Sequence, residues 1–224
     1  MLYKAIIFDM DGTILDTEHI WARATQELIE ARGVTYTPEL ATELSLRLHG
    51  VAMHKACQIV KEVAQLDDDI HDLYIEKGHR AHTLFADEVR FMHGFLDFHS
   101  RAQKHQLKMG IATNAQQETV AIADKKLNLT KLFGEHIYHV NHVFNVGKPH
   151  PAIYQHAAQQ LQENPRHCIA IEDSPSGIES AQQAGMFCIG LNSAKKPETL
   201  HRANIIINSF DEIDLPTLLV MQAE

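Results

Sequence analysis

The stretch Tyr3-Lys4-Ala5-Ile6-Ile7-Phe8-Asp9-Met10-Asp11-Gly12-Thr13 decides how the chain is read. Its first half is apolar nearly throughout, the pattern of a short strand buried on both faces. It then breaks into a polar turn that holds a glycine and two carboxylates one residue apart. Residues spaced by two positions point to the same side of an extended segment, so Asp9 and Asp11 can face one small ligand.

Beyond Gly94 similar apolar runs recur at 108–112, 136–140, 168–171, 187–191 and 204–207. Helical patterns separate them near 95–105, 116–127 and 175–184, with another opening at Pro151. Strands alternating with helices predict parallel βαβ units and an α/β fold, a doubly wound parallel sheet with helices on both faces. One block breaks the alternation. From 17 to 32, Trp21, Ala24, Leu28 and Ala31 recur at helical spacing, and amphipathic segments follow near 38–48, 53–65 and 69–86. The block is read as an inserted α-helical bundle. The expected division is a core of 1–15 and 87–224 with a cap of 16–86.

Composition narrows the function classes. The chain has 224 residues, 45% hydrophobic and 22% charged, enough for a full core and too ordered in character for long disorder. No run approaches the ~18 apolar residues of a membrane helix, and the first residues lack the form of a signal peptide. A net charge of -9 is the reverse of what a nucleic-acid-coating domain carries. Cys57, Cys168 and Cys188 form neither a zinc pattern nor a disulfide framework. The expectation is a cytoplasmic monomer whose partner is a small molecule, not nucleic acid or membrane. His136, His139 and His142 read as a polar edge, and 67–69, three aspartates, as a helix start.

In open parallel sheets, ligands gather beyond the carboxyl ends of the strands. Those ends carry Asp9 and Asp11, then Thr113-Asn114, then Glu172-Asp173, while Lys148 in Gly147-Lys148-Pro149 precedes a helix. Four acids gathered in a crevice repel one another, and a divalent cation such as Mg²⁺ relieves that repulsion. Thr113 and Lys148 add a hydroxyl and a positive charge suited to a phosphoryl group. Each piece alone has a plain reading: a solvated turn, a helix cap, a surface lysine. The ordered set does not.

This set resembles the haloacid dehalogenase-like superfamily of phosphohydrolases, in the subgroup with a small helical cap that includes β-phosphoglucomutase and sugar-phosphate phosphatases. The resemblance is carried by Asp9-Met10-Asp11-Gly12-Thr13, Leu15-Asp16-Thr17-Glu18, Thr113-Asn114, Lys148-Pro149-His150-Pro151 and Glu172-Asp173-Ser174 through Gly177. It implies a Rossmann-like core and a Mg²⁺-dependent phosphomonoester hydrolase acting on a small phosphorylated metabolite through an aspartyl-phosphate. The implied catalytic residues are Asp9 as nucleophile, Asp11 as general acid and base, Thr113 and Lys148. Asp9, the Asp11 main-chain oxygen and Asp173 would hold Mg²⁺, with Glu172 in its outer shell. Thr113, Asn114, Lys148, Glu18, His49 and Gly50 would contact substrate.

The nearest rival is a phosphosugar mutase. Mutases of this kind carry a histidine where this chain has Trp21, and a Lys-Gly loop with a following arginine where it has His49, Gly50 and Met53. A second phosphate would be poorly held, so water is the expected acceptor. Dehalogenation has no need for the metal-binding acids. A phospho-Asp signalling module without turnover is the rival from another class, but it places its acceptor on a middle strand and lacks the helical insert.

Overall fold

The computed structural model describes residues 3–48 and 51–220. Two compact units emerge, one from residues up to Asp16 with those from Arg90 onward, the other Thr17–Val89. Both divisions fall slightly later in sequence than the expected ones. Asp16 stays with the first unit because its amide donates to the Arg90 carbonyl at 3.0 Å and its carboxylate pairs with the Arg90 guanidinium at 2.7 Å. The second unit ends late because its last helix continues unbroken to Glu88.

The Thr17–Val89 unit is all helical: α1 Glu18–Glu30, α2 Pro38–Leu48, α3 Met53–Val63 and α4 Ile70–Glu88. Asp69 caps α4, accepting from the His71 amide at 2.7 Å, so the three aspartates do mark a helix start. Leu28, Ile29, Leu44, Cys57, Val60 and Leu73 form its core.

The other unit carries strands β1 Ala5–Phe8, β2 Lys108–Thr113, β3 Ile137–His139, β4 Cys168–Glu172, β5 Phe187–Leu191 and β6 Ile205–Ile207. They make one all-parallel sheet in the order β3-β2-β1-β4-β5-β6, the expected α/β class. Its helices are α5 Phe95–Lys104, α6 Gln117–Leu127, α7 Leu129–Phe133, α8 Ala152–Gln160, α9 Pro175–Gln183 and α10 Leu215–Val220. Side chains alternate along β1. Ala5 and Ile7 join a cluster with Ile153 and Tyr154 of α8 and Ile178 of α9. Phe8 turns the other way and meets Phe95 and Phe98 of α5 and Phe133 of α7 edge-on. A strand covered on both faces is apolar at every position, as its sequence requires. No helix among the described residues is long and apolar enough to cross a membrane.

The strand order reverses at β1, with β2 on one side and β4 on the other. Phe8 is in register with Ile111 of β2 and Ile171 of β4, so Asp9 emerges level with the ends of both neighbours. That reversal opens a crevice beyond the strand ends.

Candidate active site

Asp9 continues β1 by donating its amide to the Ile171 carbonyl at 2.9 Å, and its side chain is buried. The chain then folds back on itself: the Ile14 and Leu15 amides both donate to the Met10 carbonyl, at 3.1 and 2.9 Å. Gly12 adopts φ +78°, and a Cβ there would lie 2.1 Å from a carboxylate oxygen of Asp173. The glycine is therefore required twice, by the left-handed turn and by the close approach of Asp173. Asp11 is half-buried beside them, near enough for its charge to raise the Asp9 carboxyl.

Lys148 sits at the centre. Its side chain is 2% exposed, and its ammonium donates to Asp9 Oδ1 at 2.5 Å, Glu172 Oε1 at 2.6 Å and the Ala112 carbonyl at 2.8 Å. An ammonium has three hydrogens, so these acceptors match its donors. Its backbone is anchored as well: the Lys148 amide donates to Asn114 Oδ1 at 2.8 Å. Gly147 allows this, because a Cβ there would lie 2.9 Å from the same oxygen. Asn114, expected to contact substrate, thus clasps the Lys148 loop to the end of β2. Thr113 is buried at that end, and its hydroxyl accepts from the Ala115 amide at 3.0 Å, leaving its hydrogen to donate.

Glu172 is fully buried and accepts from Lys148, from the Tyr154 hydroxyl at 2.9 Å, and from the Ser174 amide and hydroxyl at 3.3 and 3.1 Å. It presses against the first turn of α9, where a Cβ at Gly177 would come within 1.9 Å of it. Ser174 caps that helix by accepting from the Gly177 amide at 3.1 Å. Asp173 accepts from Thr13 Oγ1 at 3.2 Å.

Oxygens of Asp9, Glu172 and Asp173 lie within 4.8 Å of one another, three buried carboxylates against one lysine. Burial pushes the Asp9 carboxyl well above the usual range; Lys148 opposes that shift and Glu172 adds to it. Asp173 is raised likewise, by burial first and then by Asp9 and Glu172. Burial alone would lower Lys148, but Asp9 and Glu172 more than offset it and hold the ammonium protonated. The surplus negative charge and all-oxygen donor set fit a hard divalent cation. Four protein donors already occupy Glu172, which leaves Asp9 and Asp173 to carry the repulsion a cation would relieve.

The structure thus gathers Asp9, Asp11, Thr113, Asn114, Lys148 and Asp173 on one unit. Glu18 starts α1 of the other unit and is exposed. His49 and Gly50 lie outside the described residues. His139 ends β3 and His142 lies in the turn that follows, their rings 3.9 Å apart, with the His139 amide donating to His142 Nδ1 at 3.1 Å. Sequence reading missed Tyr154 and Thr13. Tyr154 falls on the apolar face of α8 and reads as packing; its signal is a hydroxyl that a buried site must satisfy.

The family model for haloacid dehalogenase-like hydrolases matches residues 6–191. The chain belongs to that family. This hydrolase is 28% identical over 183 residues to the phosphorylated carbohydrates phosphatase of Thermotoga maritima, covering 82% of each chain. It is 29% identical over 192 residues to a fructose-1-phosphate phosphatase of Escherichia coli, covering 84% of this chain and 95% of that one. The crystal structure of a putative β-phosphoglucomutase from T. maritima superposes on the hydrolase with a TM-score of 0.74 at 25% identity, covering 97% and 100% of the two chains. The expected resemblance, to sugar-phosphate phosphatases and β-phosphoglucomutase alike, holds for this hydrolase.

Proposed function

We propose that this hydrolase is a Mg²⁺-dependent phosphatase that removes phosphate from a small phosphorylated metabolite, a sugar phosphate by preference. The observation that carries the reading is the buried cluster of Asp9, Asp173, Glu172 and Lys148 at the strand-order reversal. The names of the phosphatase relatives support the substrate class.

Asp9 is the nucleophile: one carboxylate oxygen attacks phosphorus, the ester P–O bond breaks, and Asp11 protonates the leaving alkoxide. Asp11 then takes a proton from the water that attacks the aspartyl-phosphate, and Asp9 is released. Lys148 favours the ionised form of Asp9 against the effect of burial and, with the Thr113 hydroxyl, faces the charge on the phosphoryl oxygens. Asp9, Asp173 and the Asp11 main-chain oxygen would hold Mg²⁺, which supplies charge neutralisation at the phosphoryl group. Phosphoryl transfer asks mainly for positioning and electrostatics, which these residues can provide.

Hydrolysis is favoured over mutase turnover because Trp21 and Met53 stand where a mutase carries histidine and arginine. The Trp21 ring packs edge-on against Phe85 at 5.6 Å. His19, a substitute in principle for the missing histidine, has its imidazole 3.9 Å from Glu88. A phosphate-release screen across phosphorylated metabolites, with and without Mg²⁺, tests the reading. Release from sugar phosphates that depends on Mg²⁺ supports it; no release from any monoester sinks it.

A further inference from the structure

We propose that Tyr154 is a positioning residue: through Glu172 and its own ring face it directs the Lys148 ammonium toward Asp9. The role in turnover rests on the phosphatase reading above, whereas the positioning itself rests on the geometry alone. Lysine carries its charge on a flexible four-carbon stem, so an ammonium that must face one oxygen needs its surroundings to hold it. Of its three acceptors only the Ala112 carbonyl belongs to the sheet backbone, in β2, while Asp9 Oδ1 ends a short side chain just beyond β1. Glu172 Oε1 ends a longer side chain with one more rotatable bond and must itself be held. Ser174 grips Oε2 with its amide and hydroxyl, and the Tyr154 hydroxyl grips Oε1. The Tyr154 ring also lies under Lys148, with Nζ 4.9 Å from its centroid.

Packing does not account for the hydroxyl. Tyr154 is fully buried within the cluster that holds Ile7, Ile153 and Ile178, where phenylalanine would fill the same space without a polar atom. Burial, and then the nearby Glu172 and Asp9 charges, push the phenol well above its usual range, so it keeps its proton and always donates. Tyr154 comes from α8, which begins just after the Lys148 loop, so one helix sets both the loop's exit and the ammonium's direction.

The test compares wild type, Tyr154→Phe, Glu172→Gln and the double variant, using a substrate the wild type hydrolyses. Because the bond is to a charged group, Tyr154→Phe should lower kcat about tenfold or more while KM stays within about threefold. In the Glu172→Gln background the same change should cost less than about twofold, because the charged acceptor that the Tyr154 hydroxyl steadies is then neutral and attracts Lys148 far less. Calorimetric Mg²⁺ affinity should be the same in wild type and Tyr154→Phe. A crystal structure of Tyr154→Phe should show Lys148 Nζ withdrawn from Asp9 Oδ1, a readout independent of turnover. Wild-type kcat in Tyr154→Phe, equal losses in both backgrounds, weakened Mg²⁺ binding, or an unmoved Lys148 would each overturn the proposal. A wild type that hydrolyses nothing would instead refute the phosphatase reading, and the crystal structure would still decide whether Tyr154 positions Lys148.

Discussion

Asp9 is held by a single cation and crowded by two other buried carboxylates, and that imbalance makes its replacement informative. Asp9→Asn keeps the shape and removes the nucleophile, so turnover should vanish while the circular dichroism spectrum and melting temperature stay close to wild type. Near-normal phosphate release by the purified, Mg²⁺-loaded variant would show that Asp9 is not the acceptor. Asp11→Asn should reduce kcat by about 10²–10⁴-fold, the usual worth of general acid–base assistance, with its main-chain carbonyl still in place. A loss below about tenfold in steady-state assays would contradict that role. Asp173→Ala removes a carboxylate from the cluster and should raise the Mg²⁺ concentration needed for half-maximal rate; an unchanged metal titration would place the cation elsewhere. Asn114 carries a different lesson. The family resemblance implied substrate contact for it, and the structure adds a second role: its oxygen accepts from the Lys148 amide, a bond between residues 34 positions apart.

Helices and strands were legible where burial leaves a periodic trace. The buried strands show as apolar runs, and α1 to α4 show as 3- and 4-residue spacing, because each element hides one face or both. The five-residue α7 and the turn Val140–Val143 left no such trace, being too short to complete a pattern. Lys77 shows the limit of periodicity most plainly. It lies on the inner face of α4, only 3% exposed, with no ion-pair partner among the described residues. Burial lowers its pKa below the ordinary lysine value. The folded state therefore binds fewer protons than the unfolded one between its two pKa values, and stability rises with pH across that window. At neutral pH the buried amine is a cost, so Lys77→Met should stabilise the protein by about 1–3 kcal/mol. The gain should shrink as pH climbs toward the unfolded lysine value. Urea unfolding at two pH values checks both statements; a destabilised variant at neutral pH would mean that the amine has an unseen favourable role.

Taken together, the family match, the parallel sheet and the acidic cluster describe one catalytic core, and its expected output is free phosphate. Given a sugar monophosphate and a bisphosphate primer, the enzyme should release inorganic phosphate and show no interconversion of sugar 1- and 6-phosphates. Mutase turnover outpacing hydrolysis in a coupled assay would reverse that choice. The α/β class, the helical spacing of α1 to α4 and the places of Asp9, Thr113 and Asp173 at strand ends could be read from residue order, because buried strands, helical spacing and strand-end polar motifs are local properties of a chain. The partnerships could not. That Lys148 divides its three hydrogens among Asp9, Glu172 and Ala112, that Gly12 and Gly177 make room for Asp173 and Glu172, and that Tyr154 braces Glu172 all depend on segments far apart in sequence meeting at the reversal of strand order. Only packing brings such groups within hydrogen-bond distance, and only there does burial turn ordinary carboxylates into a charge cluster that could hold a cation.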